Sequence, residues 1–439
     1  MAAGGHVTGA SEEEGPSCPV DPERGVRVRR AERTQIAWGR VDLEAALPAD
    51  HAARAILTVI ERLDLRALYS QVQSRGEVAG SSAIDPQILL ALWVYATSEG
   101  IGSGRELAQL CELHAAYRWI CGGVEVGYHV LNDFRAQQGE VFDLLVTQVL
   151  GRLMKHDLIE LSRVAQDGTR IRASAGAASF RRAKTLEELM AQARCHLETV
   201  TRTAADPAIS ARQRAALKRA AEDRLSRLEA ALAEMPRVAE TKLKSGAKDK
   251  TPRVSSTDPD ARVMKMGDGG FRPAYNVQLA TTADQARVIV GVGVTNRGSD
   301  MGETTSMLEQ IEQRTGVRPE QMLVDGGYAS HDAIDAASAS GVTVYAPLPK
   351  PRKDDTSSPQ APKAGDSEAV AAWRARMGTE EAQQIYKQRA ATAETVNADG
   401  KSHRGLGSTA LRGLDKVKGG ALLFALTYDI LRLISLSSG

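Results

Sequence analysis

VAQDGTRIRAS, residues 164–174, places a single carboxylate, Asp167, among alternating apolar residues and follows it with Arg170 and Arg172. Alternation over so short a run marks a β-strand. An acid in its middle needs a reason, because a charge taken out of water is costly unless it is paired or put to use. A salt bridge to Arg170 or Arg172 is the plain explanation. The other is that a rigid sheet holds the carboxylate for chemistry.

A related unit recurs downstream. LVDGGYAS, residues 323–330, is a short apolar strand, then Asp325, then two glycines that permit a sharp exit from a sheet. An Asp-Gly turn accounts for it in isolation. If the two strands are neighbours, Asp167 and Asp325 converge, and two facing carboxylates raise each other's pKa unless a divalent cation lies between them. A third acid, Glu394, sits in QQIYKQRAATAETVNADGKSHRG, residues 383–405. On one α-helix Tyr386, Arg389, Glu394 and Lys401 fall at about 0°, −60°, +80° and +60°, a broad common face. A solvated helix with an ordinary Arg–Glu pair fits the same residues, and Asn397 and Gly400 mark a stop before Lys401.

The chain around these acids changes texture twice. Residues 1–40 carry few apolar groups but include Arg24, Arg27, Arg29, Arg30 and Arg33, which predicts a disordered basic arm. Residues 41–160 predict an all-α amino-terminal domain. Asp50 caps one helix, Asp85-Pro86 opens a helix apolar nearly all round that Gly100 closes, and Ser103 caps a third. The short helices near 103–137 suit either a helix-turn-helix or, more simply, a bundle. From 161 to 439 the order is strand, strand, strand, helix, strand, helix, strand, then a solvated loop at 349–367, a helix near 379–396 and an amphipathic terminal helix. Residues 181–253 interrupt this order with two apolar helical stripes separated by Asp206-Pro207. That segment holds 17 lysines and arginines against 10 acids, and a basic helical hairpin is expected there, able to meet phosphates.

Composition bounds the rest. The chain has 439 residues, 42% of them hydrophobic, enough for two or three domains. No apolar run approaches the roughly 18 residues of a membrane span, and the opening MAAGGHVTGASEEEG has no apolar leader core, so a cytoplasmic protein is expected. Cys18, Cys111, Cys121 and Cys195 are scattered without metal-ligand spacing. GDGG at 267–270 is too short for a phosphate-binding loop.

Taken in order, DGTR at 167, DPDARVMKMGDGGFRPAYNVQ at 258–278, VTNRGSD at 294–300, VDGGYAS at 324–330 and YKQRAATAE at 386–394 resemble the DDE-class transposases of bacterial insertion sequences. DLEAALPADHAAR, IDPQILLALWVYA, SGRELAQL, YRWICGG and NDFRA extend the resemblance toward the amino end. It implies an RNase H-like α/β catalytic domain, a mixed five-stranded sheet with a helical insertion. It also implies Asp167, Asp325 and Glu394 as a catalytic triad holding two Mg²⁺ or Mn²⁺ ions. Tyr386, Arg389, Lys401 and Arg135 are the implied DNA contacts. The implied activity is attack of an activated water at a transposon end, then attack of the freed 3′-hydroxyl on target DNA. The partners are terminal repeats, target DNA and further copies of the chain, with no membrane. This chain departs from the commoner pattern by one extra residue between Arg389 and Glu394, and it lacks the cysteine-rich segment of some relatives. The alternatives are a DNA-binding protein whose catalytic centre has decayed and a nuclease that cuts without joining.

Overall fold

The computed structural model describes residues 42–72, 82–202, 210–244, 246, 251–349 and 358–437. The arginines at 24–33, Asp206-Pro207 and part of the 349–367 loop lie outside them.

The amino-terminal helices form where the caps allow. α1 (Ala52–Glu61) is capped by His51 rather than Asp50, its Nδ1 accepting from the Ala53 N–H at 3.1 Å. After α2 (Arg66–Ser70), α3 (Pro86–Ser98) starts at the expected Asp85-Pro86 pair and is buried on nearly every side. α4 (Gly104–Leu113) and α5 (Ala115–Cys121) share His114 as a junction, and Gly122–Gly127 leads to α6 (Tyr128–Gln137) and then α7 (Gly139–Lys155). A one-residue junction followed by a longer one is not the short three-to-four-residue turn of a helix-turn-helix.

β1 (Arg163–Arg172) follows. The helical excursion begins at β2 (Phe180–Arg181), runs through α8 (Ala183–Arg202) and α9 (Ala211–Lys244), and returns at β3 (Val254–Ser255). β2 and β3 pair antiparallel, clamping its two ends together. β4 (Arg262–Lys265), β5 (Phe271–Thr282), β6 (Ile289–Thr295), α10 (Glu303–Thr315), β7 (Gln321–Leu323), α11 (His331–Ala339) and β8 (Thr343–Tyr345) complete the sheet region. The terminal part is α12 (Glu368–Met377), α13 (Glu380–Arg389), a π-helical turn (Ala390–Glu394), α14 (Thr395–His403) and α15 (Leu414–Ser437).

β1 is central. It pairs antiparallel with β5, from Val164 opposite Thr282 to Arg172 opposite Ala274, and parallel with β7, ending at Ala165 opposite Leu323. β8 lies beyond β7, while β6 and β4 line successive lengths of the far edge of β5. The main sheet thus has six strands where five were expected. The added strand is β4, four residues that return through GDGG by a Met266 N–H to Gly270 O bond of 2.7 Å, with Gly269 at φ 82°. So short a strand gives too few alternations to register in sequence.

The boundary expected at residue 160 does not separate two cores, since Leu43–Gly439 is one unit. α15 explains why. This helix is long and apolar enough to cross a membrane, contrary to the expectation of no such run, but most of it is buried in the core. It packs against α1, α3, α6 and α7 and also against β6. At Gly139 and Gly419 the α7 and α15 backbones touch, and a Cβ on Gly419 would lie 3.1 Å from the Gly139 Cα.

Asp429, fully buried on α15, accepts the Ile289 N–H of β6 at 2.8 Å. Burial pushes its carboxyl well above the usual range, against the smaller opposing pulls of that hydrogen bond, Arg314 and Arg432. The folded state therefore holds a proton there that the unfolded chain gives up near pH 4, so this group's contribution to stability declines as pH rises above that value. Asp429→Asn keeps the acceptor and cannot ionise. Denaturant unfolding between pH 4 and 8 should show the variant gaining on the wild type as pH rises, and parallel curves would show that Asp429 is not held protonated.

Candidate active site

The parallel register of β1 and β7 sets the first two acids side by side. Asp167 and Asp325 each lie two residues beyond the pair Ala165–Leu323. β7 ends before Asp325, and the chain turns there, the Gly327 N–H donating to Asp325 Oδ1 at 2.6 Å. The sheet holds Asp167 directly and Asp325 from two residues past the end of β7.

The third acid is brought in by Arg389. Its guanidinium donates to Asp167 Oδ1 and to Glu394 Oε1, both at 2.7 Å. Arg389 and Asp167 are mostly buried, with 9% and 18% of their side chains exposed, while Glu394 is 52% exposed. In an uninterrupted α-helix, residues five apart are offset by about 140° and do not meet. The π-helical turn at Ala390–Glu394 takes up the additional residue, so the departure in spacing seen in the sequence is absorbed locally and Arg389 still faces Glu394. Helix then continues through Asn397 and Gly400 as far as His403, contrary to the expected stop, and this places Lys401 on it. Asn397 Nδ2 donates to the other Asp167 oxygen, Oδ2, at 2.9 Å.

The electrostatics record the convergence. Burial raises the Asp167 pKa, Arg389 and Asn397 pull it down, and the negative charges of Asp325 and Glu394 push it up. For Arg389 burial works against the charge, yet Asp167, Tyr386, Asp325 and Glu394 together hold it above its ordinary value. Burial raises the half-buried Tyr386 hydroxyl, which also feels Arg389, Asp325 and Glu394. Lys401 is lowered by desolvation and supported by Asp167. Asp167, Asp325, Glu394, Arg389, Tyr386 and Lys401 are therefore one cluster.

Arg135 lies elsewhere. Its guanidinium stacks 4.3 Å from the Trp93 ring and donates to Gly102 O at 2.6 Å, and burial lowers its pKa to about 10. Arg135 is thus engaged in packing, apart from the acids with which it was expected to share DNA contacts.

Beneath the acids is a polar layer that sequence reasoning did not connect to them. Successive strand residues face opposite sides, so Gly168 points away from Asp167. A Cβ on Gly168 would lie 2.4 Å from Asp300 Oδ1 and 2.6 Å from Gln278 Nε2. Asn276 and Gln278 both donate to Asp300 Oδ1, at 2.6 and 2.7 Å, and the buried Tyr328 hydroxyl donates to Gln278 Oε1. Through Tyr328 this network ties the turn that follows Asp325 to β5. The polar pair Asn276 and Gln278, alternating within an apolar strand, was its sequence signal.

The acids offer hard oxygen donors, the chemistry suited to Mg²⁺ or Mn²⁺. Among the described residues no three His, Cys, Asp or Glu side chains are gathered tightly enough to hold one metal ion. The cation between Asp167 and Glu394 is the Arg389 guanidinium.

Residues 41–137 match the transposase domain family (DUF772), and residues 355–434 match the transposase DDE domain. The chain is a DDE-class transposase. No curated protein and no solved structure matches it. The second match includes Tyr386, Arg389, Glu394 and Lys401, whereas Asp167 and Asp325 fall between the two matches.

Gly168→Ala tests the support beneath the acids in this transposase. The added methyl meets side chains held by hydrogen bonds rather than flexible ends, and overpacking of this kind costs about 1–3 kcal/mol. A thermal midpoint lower by several degrees is expected, against no change for Gly176→Ala, where a Cβ meets nothing within 4 Å. Equal midpoints would show that Asp300 and Gln278 do not crowd Gly168.

Proposed function

We propose that this transposase binds the ends of its insertion sequence, cuts there and joins the freed end to target DNA, with Asp167, Asp325 and Glu394 as the catalytic carboxylates. The observation that carries the proposal is the single arginine serving Asp167 and Glu394 beside Asp325, within a chain that matches transposase domains at both ends. The strand order, with the Asp167 strand central and flanked by one antiparallel and one parallel neighbour, supports an RNase H-like reading of the catalytic sheet.

Asp167, Asp325 and Glu394 would hold two Mg²⁺ or Mn²⁺ ions once Arg389 yields its place. Bound there, the ions would supply Lewis-acid polarisation of the phosphate and a lowered pKa for water or a 3′-hydroxyl. The protein's own contributions are positional. Asp167 is fixed on the central strand, Asp325 by the turn just past the adjacent one, and Glu394, half exposed, is the acid with room to turn. Arg389, Lys401 and Tyr386 stand around the acids as cationic and hydroxyl partners for a scissile phosphate, so a phosphate arriving in the site competes for Arg389. The amino-terminal helices, with the arginines at 24–33, are assigned to the transposon ends. Because those helices share a core with α15, this assignment has to be tested on the whole chain. Work on chromosomal DNA places the transposase in the cytoplasm of a bacterial cell, as a dimer or higher assembly on its ends.

The test is incubation of the chain with labelled terminal repeats, a target plasmid and Mg²⁺ or Mn²⁺, scoring cleavage and joining separately. Both products are expected, and Asp167→Asn, Asp325→Asn or Glu394→Gln should each lower them at least about 100-fold. Binding without cleavage would mean a decayed centre, and cleavage without joining a nuclease. The place of Arg389 has its own readout. Arg389→Gln removes the competing cation, so Mn²⁺ binding without DNA, followed by electron paramagnetic resonance, should tighten several-fold. Unchanged or weaker binding would show that the guanidinium does not occupy the metal position.

A further inference from the structure

The helical excursion between β2 and β3 has a packed root and an outer length of α9. Its root has its own apolar core, in which Leu186 and Ala193 of α8 pack with Leu228, Ala231, Met235 and Val238 of α9. Several of its charges are paired. Arg194 meets Glu229, Arg237 and Arg262 meet Glu234, and Lys244 meets Glu240.

The outer half differs. The Arg194–Glu229 pair fixes the antiparallel register of the two helices, so that Arg202, where α8 ends, is level with about Ala221. Ala221 is also where burial on α9 stops, and from Ala211 to Ala220 every residue but Arg214 is exposed. Beyond that level α9 packs against no apolar partner among the described residues. Residues 211–227 hold Arg212, Arg214, Lys218, Arg219, Arg224 and Arg227 against only Glu222 and Asp223. Lys218 reaches Glu222 at 3.7 Å, but Arg212, Arg219, Arg224 and Arg227 form no ion pair with any described residue. Arg212 and Arg219 lie on the face turned away from the apolar stripe, with the partly buried Arg227 at its flank, spread along roughly 22 Å of helix.

Four arginines without an ion-pair partner among the described residues leave the positive charge of this helical length uncompensated. A second copy of the same helix is a poor occupant, because like charges would meet. A polyanion with charges repeated along its length fits the row.

We propose that the outer half of this arm, residues 211–227, grips the phosphate backbone of duplex DNA without reading its sequence. The inference rests on the DNA-binding reading above and adds to it a second contact region, remote in sequence from the acids and from the amino-terminal helices. Its anchor is the β2–β3 clamp just past the end of β1, the strand that carries Asp167.

The experiment uses the full chain with Arg212, Arg219, Arg224 and Arg227 all changed to Gln, and a control with the paired Arg194, Arg202 and Arg237 changed to Gln. Fluorescence anisotropy would measure Kd for a terminal-repeat duplex and an unrelated duplex between 50 and 200 mM salt, a range over which phosphate binding is strongly salt-dependent. The slope of log Kd against log salt should become shallower by about 3.6 in the quadruple variant, at roughly 0.9 for each phosphate that an arginine no longer neutralises. The drop in affinity should be equal for the two duplexes, Arg212→Gln/Arg219→Gln should show about half the change, and the control should keep the wild-type slope. An unchanged slope would overturn the proposal, as would a drop confined to the terminal-repeat duplex. A change in sedimentation mass with DNA binding intact would overturn it in favour of a subunit interface. A wild-type chain that bound neither duplex would instead defeat the DNA-binding reading itself.

Discussion

Arg389 joins two carboxylates that belong to different layers of the molecule, Asp167 on the central strand and Glu394 on the terminal helices. The pairing is needed because Asp167 is mostly buried with Asp325 and Glu394 as negatively charged neighbours. Removing one partner of a buried ion pair costs about 3–5 kcal/mol, since the other is left charged and unpaired. The Asp167 side of the bridge falls in that class. The Glu394 side, half exposed, is screened by solvent and is worth much less. This asymmetry makes Glu394 the easier acid to release, and it lets one arginine organise the site at rest without fixing it.

The remainder of the architecture keeps the two ends of that bridge in place. β1 is hydrogen-bonded on both sides, and the Tyr328–Gln278–Asp300 network fastens the turn after Asp325 to β5 from the opposite face of the sheet. α15 lies between the amino-terminal helices and β6, so the helices matched by one transposase family and the strand bearing Asp167 belong to one core. Force on either part can reach the other through packed side chains, a physical route by which DNA held by one region could bias the other.

Much of this was legible in the sequence. The alternation of VAQDGTRIR gave the central strand, the two Asp-Gly units gave one acid within it and one just past the end of its parallel neighbour, and Asp85-Pro86 and Ser103 gave true helix starts. Other features were hidden for identifiable reasons. Asn397 and Gly400 looked like a stop because local preference favours one, but Val396, Asn397 and Gly400 are buried and tertiary packing carries the helix through. A Cβ on Gly400 would meet the Phe424 ring at 2.8 Å, so the glycine serves close packing there. The one-residue excess before Glu394 gave no sign of a π-helical turn, which depends on where Arg389 finds its partners. Arg135 looked like a free cation because nothing in NDFRA shows that Trp93 lies beneath it.

The most direct test of the central claim is a crystal structure of the chain grown with Mn²⁺ and a duplex carrying its terminal repeat, using anomalous scattering to locate manganese. The account predicts anomalous peaks bounded by Asp167, Asp325 and Glu394, with Arg389 withdrawn from Asp167 onto a phosphate. Manganese bound away from these acids, or Arg389 still bridging Asp167 and Glu394 in the presence of DNA and metal, would contradict it.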